Sequence, residues 1–195
     1  MDKKKVAEFF DMYAPVWDDE MIRDDNTVEK IMAGLAVPDG ARALDAACGT
    51  GVMIPDYFRH GAASVTGIDI SPKMAEKAKE KYAGDPRIDI ICGDIETYEF
   101  GEPFDCALVY NALPHFEDPE LLIRVLANDL RNGGRLSVAH GMSREKIDRH
   151  HRGLQRDISR GLISAEDLSK IFGKYFDVDV IIENEEYYQV AGTKR

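Results

Sequence analysis

An apolar strand that ends in a loop of small residues and passes straight into a helix leaves few architectures open. Residues 43–51, ALDAACGTG, are such a passage. Gly49 and Gly51 permit positive φ and close backbone approach, and Ala46 and Ala47 keep the wall of the turn low. A backbone stripped of bulk at that point makes room for a ligand, so this loop speaks first of a cofactor.

The pattern around the loop alternates strand and helix with short connections. Residues 3–13 read as a helix with Val6, Phe9, Phe10 and Tyr13 on one stripe, broken by Pro15. A second helix is expected over about 22–36. Strands are expected at 42–46, 64–70, 87–92, 104–110 and 135–140, with helices from the small-residue loop to His60, from 71 to 82 and from 118 to 130. Ser71 followed by Pro72 is a helix start, because the hydroxyl caps free amides and Pro suits the first helical position. The run 104–110 is apolar almost throughout, as expected of a strand buried on both faces. Repeated βα units of this kind give a parallel sheet between two helical layers, with ligands at the carboxyl ends of the strands. The tail departs from that rule: 175–182 and 186–191 are two strands with a short turn between them, hence an antiparallel hairpin at one edge.

Composition narrows the partners. A chain of 195 residues suits one domain. No apolar run nears the ~20 residues of a membrane span, and the N-terminus shows neither an apolar signal core nor a small-residue cleavage site, which reads as a cytoplasmic protein. Three cysteines at wide spacing fit neither a disulfide framework nor a zinc knuckle, and Cys92 and Cys106 read as small hydrophobes within strands. A net charge of -11 disfavours a nucleic-acid backbone as partner.

Two readings of the loop compete. A nicotinamide site wants Gly-x-Gly-x-x-Gly, and Ala47, Gly49 and Val52 occupy those positions. A nucleoside reading survives, because Asp69 ends the second strand about 20 residues beyond the loop, where a carboxylate accepts from ribose hydroxyls. Asp94 ends the third strand in the same layer.

With those strand ends in place, the chain resembles the class I S-adenosylmethionine-dependent methyltransferases, in the small-molecule group with the LDxxCGTG form of the loop. The resemblance covers about residues 40–140. It implies a Rossmann-like α/β three-layer sandwich whose seven-stranded, mostly parallel sheet runs 3-2-1-4-5-7-6. It also implies roles. Asp45, Ala46, Ala47, Cys48, Gly49 and Gly51 line the methionine part of S-adenosylmethionine; Asp69 binds the ribose and Ile70 packs on the adenine; Asp94 faces the adenine amino group with Ile95 beside it. Asn111 ends the fourth strand next to the methionine moiety, and Met74 is counted with the cofactor-binding residues. Ala47 stands where the family often has Gly.

In-line methyl transfer from a sulfonium asks the protein mainly for approach geometry and a desolvated site. Four aromatic residues, Phe9, Phe10, Tyr13 and Trp17, resemble the lid that such enzymes fold over the cofactor; their plain alternative is the apolar side of a packing helix. His115 follows the fourth strand and is a candidate base, or else a capping or surface histidine. His140 at the end of the fifth strand is the second candidate. It opens a stretch, 140–160, rich in Arg, Lys and His, which reads either as recognition of an anionic or soft small acceptor, or as a solvated helix face. A metal site from His140 with His150 or His151 is disfavoured by the spacing of adjacent helical histidines. The expected division is 1–37 for a helical lid, 38–140 for the cofactor core, 141–174 for a helical substrate-side segment and 175–195 for the hairpin. The function expected is methyl transfer to a small molecule, without nucleic acid or membrane; the alternative is a non-catalytic regulator or partner protein that binds S-adenosylmethionine or its product.

Overall fold

The structure, a computed structural model, describes residues 1–151 and 158–195. Helices α1 (Lys3–Tyr13), α2 (Trp17–Glu20) and α3 (Asp25–Leu35) precede β1 (Arg42–Ala46). Then come α4 (Ile54–Arg59), β2 (Ser64–Asp69), α5 (Pro72–Lys81), β3 (Ile88–Cys92) and β4 (Phe104–Tyr110). After a single 3-10 turn, Leu113–His115, the chain continues through α6 (Pro119–Asp129), β5 (Leu130–His140), α7 (Arg144–His151), α8 (Ala165–Phe172), β6 (Phe176–Glu183) and β7 (Tyr188–Lys194).

Among the described residues seven strands form one sheet in the order β3-β2-β1-β4-β5-β7-β6, with β7 antiparallel to both β5 and β6. The helix starts carry the caps that local chemistry asks for. Side-chain oxygens of Asp2, Asp24, Ser71, Asp118 and Ser164 accept from first-turn amides, which satisfies donors that lack an intrahelical partner. On one face of the sheet Leu122, Leu126, Leu168 and Phe172 of α6 and α8 pack against Leu44, Val109 and Val138. On the other, Ile31, Leu35, Tyr57 and Ala75 of α3, α4 and α5 cover Ala43, Val65 and Leu108. Residues 43 and 44 point to opposite layers because side chains alternate along a strand. Each fully buried Leu, Ile or Phe contributes about 1.5–3 kcal/mol, so the two layers hold the strand ends in a fixed frame.

Four local expectations are corrected. The second helix begins only at Asp25, because Asp24 caps it, and α2 adds a separate turn before it. Ile70 falls just outside β2, which ends at Asp69. The fifth strand begins at Leu130 rather than 135: β5 already pairs Leu130 with Phe104, and the register then jumps to Arg135 opposite Cys106, with Gly133 at φ 76° carrying the excursion. Cys106 is buried, but Cys92, the last residue of the edge strand β3, is exposed.

Candidate functional site

The carboxyl ends of β1 to β5 meet under α1 and α2 around a cavity of about 590 Å³. Its base is the loop after β1. There Cys48 N–H donates to the Ile68 carbonyl at 3.0 Å and Gly51 N–H to the Cys48 carbonyl at 2.8 Å, while Ala47, Gly49 and Gly51 all take positive φ (58°, 55° and 76°). Gly49 faces the cavity, and the nearest atom to a Cβ built there is Trp17 Nε1 at 3.9 Å. Gly51 faces away: a Cβ would meet Tyr82 Cε2 at 2.7 Å and Ile54 Cδ1 at 2.9 Å. Asp45, Ala47, Cys48 and Gly49 line the cavity, whereas Ala46 and Gly51 do not; Ala46 points into the core on the alternate face of β1 and Gly51 serves the turn.

Three carboxylates face this space in distinct surroundings. Asp45 is 1% exposed, and its Oδ2 has no hydrogen-bond partner among the described residues. Burial first, then the charges of Asp69 and Asp56, push it up to about 8. Asp69 accepts Gly49 N–H on Oδ2 and Ser71 N–H on Oδ1, both at 2.8 Å. Burial outweighs those two donors and raises it to about 6. Asp94 accepts Glu96 N–H at 3.0 Å and pairs with Lys3 Nζ at 2.5 Å, and the same ammonium reaches Glu96 at 2.5 Å. Ile70, Met74 and Ile95 add apolar walls, and Asn111 stands at the end of β4 with φ 55°, its Oδ1 accepting Gly141 N–H at 2.9 Å. Asn tolerates that left-handed conformation better than most residues.

The roof comes from α1 and α2. Tyr13 stacks on Phe9 with centroids 4.8 Å apart, and Phe10 meets Trp17 at 5.7 Å and His115 at 4.9 Å. Both Tyr13 and Trp17 line the cavity. Polar contacts pin this roof: Asp11 to Ser71 and Lys73, Lys77 to the Pro15 carbonyl, and Asp18 to Thr50 and Lys81. Within 1–37 the covering part is α1, α2 and the residues up to Ile22; α3 belongs to the core, where Ile31, Met32 and Leu35 are fully buried.

Both candidate bases line the cavity. His115 Nδ1 lies 2.9 Å from the Ile158 carbonyl. A carbonyl only accepts, so Nδ1 carries the hydrogen and the neutral ring presents Nε2 as its acceptor nitrogen. His140 is buried at the end of β5 with its ring edge on Tyr188 at 5.8 Å. Among the described residues, three cations of the stretch each pair with a separate carboxylate. Arg144 pairs with Glu183 at 2.9 Å, Arg149 with Glu145 at 2.8 Å, and Arg160 with Glu117. Among the described residues of the stretch, His140, Met142 and Ile147 line the cavity. The side chains of His150, His151, Arg152 and Arg156 lie outside the described residues. Lys3, Asp11, Glu96 and Glu117 escaped the sequence reading, because each meets its partner across a long separation in sequence.

A parallel Rossmann-like sheet with an antiparallel terminal hairpin thus sets a bent loop of small residues after β1, acids at the ends of β1 and β2 and one just after β3 around a single cavity. Residues 44–138 match the family model described as a methyltransferase domain. In sequence it is similar to the ribosomal protein L11 methyltransferase of Burkholderia mallei (strain NCTC 10229), 28% identical over 159 residues, which are 82% of this chain and 45% of that protein. The chain thus spans less than half the length of the curated relatives it matches. In fold it is similar to the N-methyltransferase NodS of Bradyrhizobium japonicum WM9 in complex with S-adenosyl-L-homocysteine, at TM-score 0.75 and 16% identity over 97% of this chain and 98% of that one. It is also similar to a chain of the complex between the Haloferax volcanii Trm112 methyltransferase activator and its methyltransferase, at TM-score 0.81 and 18% identity over 97% of each.

Proposed function

We propose that this protein transfers a methyl group from S-adenosylmethionine to a small molecule held beneath the α1–α2 roof. The observation that carries the reading is the cavity itself: about 590 Å³ bounded by strand ends below and an aromatic roof above. That volume lies within the ~300–1,000 Å³ usual for small-ligand sites.

The residues present fit the cofactor. Asp45 offers a buried carboxyl oxygen without a partner, suited to an ammonium group, and Gly49 leaves open the space that a side chain would fill. Asp69 stands where ribose hydroxyls are read, Ile70 and Ile95 form apolar plates for a purine, and Asp94 supplies an acceptor for its amino group. Ala47, Cys48, Met74 and Asn111 complete the wall, and Tyr13 and Trp17 exclude water from above. Bound S-adenosylmethionine supplies a methyl group already activated by its sulfonium. What the chain adds is orientation, exclusion of water, and removal of a proton where the acceptor carries one. His115 is placed for that last task, with its tautomer set by Ile158, and His140, at the end of the neighbouring parallel strand β5, is the second candidate.

The test is methyl transfer from labelled S-adenosylmethionine to fractionated metabolite pools, run beside ribosomal protein L11 and whole-protein fractions. Label entering a small-molecule fraction is expected, and label confined to protein would overturn the small acceptor. The similarity to ribosomal protein L11 methyltransferases is the specific reason for that second arm. Tight cofactor binding with no transfer to any pool would favour the non-catalytic reading, and adding a Trm112-type activator then asks whether a partner is needed.

A further inference from the structure

Resting on that reading of the site, we propose that Asp11 is a positioning residue that ties closure of the roof to Asp69, the ribose-side carboxylate, through Ser71. The hydrogen bonds form one unbroken chain. Asp11 Oδ1 accepts from Ser71 Oγ at 2.6 Å and from Lys73 N–H at 3.0 Å. Ser71 in turn donates its own N–H to Asp69 Oδ1 at 2.8 Å, and Asp69 Oδ2 takes Gly49 N–H at 2.8 Å. Four pieces of chain, the roof helix, the start of α5, the end of β2 and the loop after β1, are therefore in register through two carboxylates and one serine.

The chemistry favours this docking point over any other part of α5. The first turn of a helix presents amides without intrahelical partners and the positive end of the helix dipole. Ser71 Oγ already caps Met74 N–H at 3.2 Å, and Asp11 adds a negative charge and a second acceptor from a different helix. Both residues touched by Ser71, Asp69 and Met74, line the cavity. So do Phe10 and Tyr13, which flank Asp11 on α1. When Asp11 is seated the aromatic roof is in place and Asp69 is held; when it is released, the roof and the Ser71 hydroxyl lose their common anchor.

Trp17 is the only tryptophan of the chain and lies in the roof, so its emission reports roof closure directly. The experiment titrates the full chain with S-adenosylhomocysteine and follows heat and Trp17 emission together. In the wild type, binding is expected to shift the emission. In Asp11→Ala the affinity is expected to fall about tenfold, the worth of one hydrogen bond to a charged group, and the emission at saturation to stay at its ligand-free value. Asp11→Asn keeps the acceptor oxygen and is expected to restore both. Wild-type affinity and emission shift in Asp11→Ala would overturn the proposal, as would an Asn variant that melts normally yet behaves like Ala. If Asp11→Ala does not fold, Ser71→Ala carries the test, with the same loss expected and an unchanged response overturning it. Absence of any heat in the wild type would instead overturn the reading of the site on which the proposal rests.

Discussion

Single residues at this site are held in conditions that local sequence does not reveal. Asp45 shows this best. Its carboxyl is pushed up to about 8 by burial, so between the ordinary carboxylate range and pH 8 the folded protein holds a proton that the unfolded chain has released. Stability from this group is therefore full at low pH and is lost as pH rises through about 8. An ammonium placed on Asp45 reverses the preference, since it favours the ionised form. Cofactor affinity is accordingly expected to rise with pH up to about 8 and then level, with proton release visible as a buffer-dependent heat; affinity falling over that range would contradict the assignment. The two loop glycines should separate cleanly. Gly51→Ala meets Tyr82 and Ile54 and takes φ 76°, and is expected to cost about 2–3 kcal/mol in thermal unfolding. Gly49→Ala has open space above it, so a smaller loss of stability, about 1 kcal/mol, should accompany a marked loss of S-adenosylhomocysteine binding. His115→Gln is expected to lower kcat by about 100-fold or more while leaving cofactor binding intact, the signature of a lost proton acceptor; unchanged turnover would remove His115 from the chemistry.

Elements acquire their roles from the contacts between them. The helix over residues 3–13 is legible from its apolar stripe and its end at Pro15, yet the stripe alone cannot choose between a roof and a packing helix. The choice is made by Asp11 on Ser71, Asp18 on Lys81 and Phe10 on His115, contacts that join residues far apart in sequence. The link from α2 to α3 is tied in the same way. Arg23 reaches Asp56 at 2.8 Å and the Val52 carbonyl at 3.0 Å, and Asp56 is 1% exposed. Arg23→Met leaves Arg59 as the remaining cation on a buried carboxylate, and is expected to cost about 2 kcal/mol; a denaturation midpoint equal to wild type would show the pair to be dispensable. The stretch after β5 illustrates the opposite outcome. Its charges read either as a recognition surface or as a solvated face; among the described residues Arg144, Arg149 and Arg160 pair with Glu183, Glu145 and Glu117, and His140, Met142 and Ile147 line the cavity.

At the scale of the molecule the hairpin closes the sheet through a buried polar contact. Gln189 on β7 donates to the Ile31 carbonyl at 2.8 Å and to Ser137 Oγ at 3.0 Å, which joins α3, β5 and β7. Gln189→Leu is expected to lower the urea midpoint by an amount worth about 1–3 kcal/mol without changing the slope. The antiparallel end and the place of the ligand loop follow from the chain alone, while the order of the seven strands was what the family resemblance implied. Periodicity and caps are encoded within a few residues, and the right-handed crossover rule then leaves few ways to assemble βα units. That Asp69 and Asp94 line the cavity was legible because each closes a strand and strand ends share one edge of a parallel sheet, whereas Asn111 was pointed out by the resemblance. Tertiary structure decided the rest: that Gly51 serves the turn and Gly49 the cavity, that Lys3 and Glu96 belong to the site, and that one aromatic helix is its roof. Those outcomes depend on which side chains meet after folding, at separations of tens of residues, where burial and pairing set energies that no local pattern carries.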